Sequence, residues 1–286
     1  EWGDSIKISS ITTSTDYWLT ATEDGKLESD RVKITVRAKY SGLDARGNLV
    51  ITTPQELADY LNYCEENSAT VSGTTVTLAK DVPLLYVACF ADGFEGILDL
   101  NGHTATVHDA FAFGIEYPET NAKFTLKGGT VAAEARPYAI AQEVGEIVVE
   151  NTTLIGGERA IFSFGGTLSL TDVTAQVGNT GSTTLFITPN TNLTIHSGTF
   201  TNGNSGGYTY YSQPGSETPA KTLASCIAPG STADKSSTAE TINEDTFQIC
   251  TAPITVTKGG GQPIPPDGIL SSPLSQDEVN SAFGAG

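Results

Sequence analysis

The sequence predicts an all-β fold, a parallel β-solenoid, on three observations. The first is a phrase that recurs five times between Ile97 and Phe200: LDLNGHTA (98–105), FTLKGGTV (124–131), IVVENTTL (147–154), LSLTDVTA (168–175) and LTIHSGTF (193–200). Its Thr falls at Thr104, Thr130, Thr153, Thr174 and Thr199, at intervals of 26, 23, 21 and 25 residues. A period in the twenties built on strands without intervening helices is that of a β-solenoid. The second is alternation within the phrase. Side chains two apart on a strand share a face. Leu98, Phe124, Ile147, Leu168 and Leu193 form one apolar column, and Leu100, Leu126, Val149, Leu170 and Ile195 a second. A third, after the Thr, is Ala105, Val131, Leu154, Ala175 and Phe200, while Asp99, Thr125, Val148, Ser169 and Thr194 lie between the first two. The third observation is another short apolar segment in each repeat: YVACF (86–90), FAFGI (111–115), YAIAQ (138–142), AIFSF (160–164) and TLFIT (184–188). Each coil therefore contributes at least two strands.

The flanking elements follow in order. Residues 1–50 lack the repeat and form a β-rich N-terminal segment, with SIKISSI (5–11), DYWLTA (16–21) and RVKITVRAKY (31–40) as strands. Trp2 and Trp18 lie here, and their expected role is packing this segment onto its neighbour. TPQELADYLNYCEEN (53–67) reads as a helix: Thr53 suits the N-cap, Pro54 the first turn, and Glu56 the third position of a capping box. TVTLAKDV (75–82) aligns as a degenerate first coil with Val82 in the Thr column. An open solenoid end needs a cover, and the helix preceding this coil is placed to supply it. After Phe200 the register lapses. Residues 201–245 read as a polar insertion, TFQICTAPITVT (246–257) as a strand closing a last coil, and 258–286 as linker and tail.

LDLNGHT (98–104), preceded by TPQELADYLN and TVTLAKDV, resembles the right-handed parallel β-helix repeats of bacterial exported and cell-surface proteins. The similarity covers about residues 50–203. It implies a right-handed parallel β-helix of about six coils over residues 51–257, capped by the helix 53–67. The wider group includes pectate-lyase-like enzymes and phage tailspikes, so the fold alone names no activity.

Charge removes one class of function. Acidic residues number 33 against 15 basic ones, a formal net charge of −18, and no basic stripe exists to meet a phosphate backbone, so no nucleic-acid partner is expected. No apolar run reaches the length of a transmembrane helix. The chain opens at Glu1 and contains no Met, which fits removal of a leader from an exported, extracellular or cell-surface protein. Cys64, Cys89, Cys226 and Cys250 are never spaced as CxxC, so a Cys-bound metal is a poor reading. Proximity along the chain favours disulfides Cys64–Cys89 and Cys226–Cys250, with buried free thiols as the alternative.

The search for chemistry assigns no catalytic, cofactor-binding or metal-ligating residue. A pectate-lyase-like site needs carboxylates converging on one sheet face with an Arg or Lys base, yet the outward row holds one carboxylate, Asp99. Glu150 and Asp172, in adjacent coils, are the nearest approach to a glycosidase pair. Arg136 and Arg159 read as surface charges, and His103, His108 and His196 lack a ligand spacing. The Thr column reads as an outward ladder with a structural role, because its neighbour column (Thr106, Ala132, Ile155, Gln176, Thr201) is irregular. The expected function is a non-enzymatic extracellular structural or adhesive protein, a self-assembling filament or surface-appendage subunit associating through its N- or C-terminal extensions. The alternative is a carbohydrate-active β-helix, a polysaccharide lyase or a tailspike-type depolymerase, with a carbohydrate partner.

Overall fold

A computed structural model describes residues 15–20, 30–36, 40–43, 49–107, 112–115, 121–133, 138–235, 238–243, 246–251, 257–258 and 262–263. The periodic apolar columns become the interior of a parallel β-solenoid of about five turns. One sheet stacks Leu49–Ile51, Ala88–Phe90, Phe113–Ile115, Tyr138–Gln142, Arg159–Ser163, Thr183–Ile187 and Tyr208–Ser212, all parallel. The second sheet stacks Thr75–Leu78, Glu95–Asp99, Lys123–Ala133, Glu146–Gly156, Gly166–Thr171 and Thr191–Ile195. Short strands after a turn continue the rungs of that sheet: Val82–Leu84, Thr104–Val107, Val173–Val177 and Gly198–Asn202. The short apolar segments of the repeats form the first sheet and the repeated phrases form the second.

Register explains why the columns work. Phe124, Ile147, Leu168 and Leu193 pair in one line, and Thr130, Thr153, Thr174 and Thr199 in another. Every residue of the three apolar columns is buried, whereas Asp99, Thr125, Val148, Ser169 and Thr194 are all partly exposed. A fully buried Leu, Ile or Phe contributes roughly 1.5–3 kcal/mol, so these stacked rows are the main stabilising feature. The turn inside the phrase is also stacked: Asn101, Gly128, Asn151 and Asp172 all have positive φ, at 51°, 75°, 44° and 53°. Asn and Asp tolerate this left-handed geometry better than other side chains that carry a Cβ.

Two positions differ from the expected alignment. Leu98 pairs with Leu126 rather than with Phe124, while Thr104 still pairs with Thr130. The second rung thus has a turn two residues longer, and Leu100 starts that turn, donating its N–H to the Lys127 carbonyl (2.7 Å). A slip of two preserves the facing of every side chain, so Leu100 stays fully buried. In the first rung Val82 pairs with Ala105, inside the core. Asp81, one residue earlier, meets the end of the Thr column and accepts a hydrogen bond from the Thr104 N–H (2.8 Å).

The helix spans Pro54–Cys64 and buries Leu57, Ala58, Tyr60, Leu61 and Cys64 in the solenoid core. The Thr53 hydroxyl accepts from the Glu56 N–H (3.2 Å), and the Glu56 carboxylate accepts from the backbone and hydroxyl of Thr52 (both 2.7 Å). The capping box therefore closes one residue upstream of its usual partner. The Tyr60 hydroxyl accepts from the Tyr86 N–H (2.8 Å) and donates to the Tyr86 carbonyl (2.6 Å), locking the helix over the first rungs.

The far end is closed by reversed strands. Thr246–Thr251 is the expected strand, but it lies antiparallel on Gly198–Asn202 instead of completing a parallel coil. Thr241–Ile242 likewise lies antiparallel on Tyr208–Ser212. Phe247 is fully buried with its ring stacked 4.8 Å from that of Phe200. Within the polar stretch 201–245, Tyr208–Ser212 is a parallel solenoid strand and a 3-10 helix at Leu223–Cys226 buries Leu223. At the N-terminal side, Thr15–Leu19 pairs antiparallel with Val32–Val36. Trp18 is 60% exposed, so it does not pack this segment down. Trp2, the strand expected at 5–11 and most of the tail lie outside the described residues.

Neither expected disulfide forms. No disulfide joins any of the four cysteines, for a topological reason. Cys64 faces the core from the helix, whereas Cys89 packs with Ala141 in a separate cluster with Val87, Tyr138 and Phe162, on the other face of the first sheet. Cys226 is buried, but Cys250 sits on the exposed side of its strand beside inward-facing Ile249.

Candidate functional site

The outer face of the first sheet changes character along the solenoid. Register places Cys89, Gly114, Ala141, Phe162, Phe186 and Tyr211 in one row. The row is small in its N-terminal half and aromatic in its C-terminal half. A second row places Tyr138 beside Arg159, Arg159 beside Thr183, and Thr183 beside Tyr208. Phe164 joins the first row one pleat further along its strand.

These rings support one another. Phe162 stacks on Tyr138 (4.5 Å between centroids, 17°), meets Phe164 edge-on (4.5 Å, 86°) and contacts Phe186 (5.0 Å). Phe186 contacts Tyr211 (5.5 Å), which contacts Tyr208 (5.3 Å). The Arg159 guanidinium lies over three of them, 4.8 Å from Phe162, 5.0 Å from Phe186 and 5.5 Å from Tyr138. Its Nη1 pairs with the Glu158 carboxylate (2.7 Å) and donates to the Tyr138 hydroxyl (3.1 Å). Its Nε is buried without a hydrogen-bond partner, and the surrounding ring faces offset part of that cost. The result is a preorganised stripe across four rungs, charge-balanced at its centre. Phe164 (40%) and Tyr208 (39%) are its most exposed rings.

Glu150 and Asp172, the carboxylates weighed on sequence as a pair, belong to the other sheet and its turn. Register puts Thr171, not Asp172, beside Glu150. Asp172 occupies the left-handed turn, where its carboxylate accepts from the Ser197 hydroxyl (2.6 Å). His103 Nδ1 lies 3.5 Å from Asp81, and the backbone of His196 bonds to Leu170 and Ser231. His108 and Arg136 lie outside the described residues. Arg159, read on sequence as a surface charge, is the centre of the aromatic stripe. The Thr column faces outward, with Thr174 exposed and Thr104, Thr130, Thr153 and Thr199 half-buried. Among the described residues, no three His, Cys, Asp or Glu side chains gather as a metal site requires.

A groove of about 310 Å³ on the outer face of the second sheet is lined by Glu95, Lys123 and Glu146, with Thr74, Thr125 and Val148. Lys123 pairs in register with Glu95 on one side and Glu146 on the other.

The aromatic stripe had a sequence signal. Phe162 and Phe186 recur at the repeat interval inside the short apolar segments, and Tyr211 follows at the same interval within the stretch read as a polar insertion. Those segments read as uniformly apolar, however, and only the register separates Ile161 and Leu185, which face in, from Phe162 and Phe186, which face out. No protein-family model matches the chain, and no curated protein or solved structure matches it significantly.

Proposed function

We propose that this chain is a non-enzymatic structural and adhesive protein that works outside the cell and makes contact through the aromatic stripe. The observation that carries the reading is the stripe itself, from Tyr138 to Tyr211, a contiguous aromatic layer that leaves the rings of Phe164 and Tyr208 open. Clustered aromatic side chains at a surface, with polar tips beside their ring faces, are enriched where proteins make contacts. An acidic surface, with a formal net charge of −18, supports solubility. The test is retention of envelope fragments on beads carrying the wild type or a Phe164→Ala/Tyr208→Ala double variant. Retention by the wild type that drops in the variant supports the reading, and equal retention overturns it. Self-association through the extensions is a separate part of the proposal. Deleting residues 1–15 or 269–286 then leaves a folded, monomeric solenoid by sedimentation, and assembly unchanged by both deletions removes that part.

A second reading, a carbohydrate-active enzyme, is favoured by the groove at Glu95, Lys123 and Glu146. The two carboxylates stand two rungs apart, about 9–10 Å along the stack, near the upper limit of the separation used by inverting glycosidases. Reducing-end release from a polysaccharide panel, abolished by Glu146→Gln, would establish it in place of the adhesive reading.

A further inference from the structure

We infer, resting on the adhesive reading above, that the aromatic stripe binds a linear neutral glycan laid along the solenoid axis. Four features of the stripe select this occupant. The first is spacing, because aromatic side chains recur once per rung, about 4.8 Å apart along the stack. Phe186, 6% exposed, forms the floor between them, and the faces open to a bound chain are those of Phe164 and Tyr208 with the partly exposed Tyr138, Phe162 and Tyr211.

The second is the mixture of chemistries. A sugar ring offers apolar C–H faces and a rim of hydroxyls. The stripe offers ring faces at Phe164 and Tyr208 with the hydroxyls of Tyr138, Tyr208 and Tyr211 among them, and the Arg159–Glu158 pair at its centre. Aromatic faces with a few fixed polar groups are the general pattern of small-ligand sites.

The third is charge. Glu158 neutralises Arg159, so the stripe has no excess positive charge to attract an anion. The net charge of −18 repels polyanionic glycans and nucleic acids, although both carry groups able to stack. The fourth is size. Four rungs span about 14 Å, and the outward positions from Arg159 through Phe162 to Phe164 about 17 Å along the strand, an area on the order of 200 Å². A stable protein interface buries about 800 Å² per partner. The stripe alone is too small to be a whole protein interface, whereas its area matches a few sugar units. The ring–ring and cation–π contacts hold the stripe in place before binding, which lowers the ordering cost.

The experiment titrates cellohexaose, maltohexaose and chitohexaose, with hexagalacturonate as the anionic comparison, into the full chain by calorimetry. At least one neutral hexasaccharide is expected to bind, with hexagalacturonate at least about tenfold weaker. The Phe164→Ala/Tyr208→Ala variant is expected to lose at least about tenfold in affinity with an unchanged melting curve. Should that variant unfold, ligand-induced shifts of the Phe164 and Tyr208 ring protons in the wild type report the same contact. No binding of any neutral hexasaccharide, tighter binding of hexagalacturonate, or binding that leaves those rings unshifted overturns the inference. Periodate, which cleaves sugar diols, and protease treatment of the envelope fragments separate the two levels. Stripe-dependent retention that survives periodate and is lost to protease keeps the adhesive reading and removes the glycan. Retention independent of the stripe removes both.

Discussion

Phe124→Ala is the sharpest test of how the solenoid holds together. Phe124 is 1% exposed, and its ring lies 4.2 Å from Phe90 and 5.4 Å from Phe113. Phe90 in turn lies 4.4 Å from Phe94, so four rings fill the core where the second and third rungs meet. Removing a buried Phe side chain costs about 3–5 kcal/mol, depending on how far the site collapses. Here the backbone of Phe124 is paired with Gly96 below and Ile147 above. The cavity cannot close without breaking ladders on both sides, which places the expected loss near the top of that range. A Phe90–Phe124 pair adds about 0.5–1.5 kcal/mol beyond area burial. Phe164→Ala removes the same atoms from a ring that is 40% exposed and should cost under about 1 kcal/mol. Urea unfolding followed by far-ultraviolet circular dichroism gives the two totals. Hydrogen exchange then reads where the loss appears. In a stacked array each rung touches mainly its neighbours, so protection in Phe124→Ala should fall first across residues 88–133 and least across 183–202. A loss below about 1.5 kcal/mol for Phe124→Ala, or protection failing first at 183–202, would refute this account of the core.

Three further outcomes follow from individual residues. Burial pushes the Tyr60 and Tyr210 phenols well above the usual tyrosine range, so both keep their protons in the folded chain while the unfolded chain ionises near pH ~10. Stability from this source is complete below that pH and falls above it by up to about 1.4 kcal/mol per pH unit per tyrosine. Tyr60→Phe should roughly halve that alkaline slope in chemical denaturation and cost about 1–3 kcal/mol at neutral pH, by leaving the Tyr86 backbone groups without their partner. Asp172→Ala places a plain Cβ residue at φ 53° and removes the bond from Ser197, an expected loss of about 1–2 kcal/mol. Asp172→Asn should melt within a few degrees of the wild type. With no disulfide among the four cysteines and Cys250 alone exposed, a thiol reagent should label one site in the native chain and four after denaturation. Labelling of none after denaturation would restore the disulfides.

How much of this was legible in the sequence depends on what each residue's neighbours had to agree on. The Thr column and the three apolar columns were readable because parity and period are both local. Two residues on, a strand residue faces the same way, and one turn on, it meets its counterpart. That robustness hid the slip at Leu98, since a shift of two leaves every facing intact and only the pairing partner changes. It also hid the antiparallel closure by Thr246–Thr251, because alternation reads identically in either chain direction. The cysteines misled for a related reason. Proximity along the chain suggested Cys64–Cys89, yet a helix facing inward and a strand residue facing outward put the two thiols on opposite sides of a sheet.

The aromatic stripe lay beyond reach of those local rules. In AIFSF and TLFIT every residue but the polar ones looks equally fit for the core, and buried Ala160 and Ile161 side by side break simple alternation. Only stacking decides that Phe162 and Phe186 take the outer row, and stacking is a relation between rungs. The second sheet directs its small and polar residues outward, and the first sheet's outer row begins with Cys89, Gly114 and Ala141. A solenoid that needed only to fold could have continued that row with equally small residues. Replacing it with Phe162, Phe186 and Tyr211, and holding Arg159 against two of those rings with a carboxylate from its own strand end, builds an aromatic layer outside the core, in which Phe186 is covered and Phe164 and Tyr208 stay open. The core gains nothing from it, because these rings face away from it. That asymmetry between two faces of one regular scaffold is the physical ground for proposing the first sheet as the contact surface.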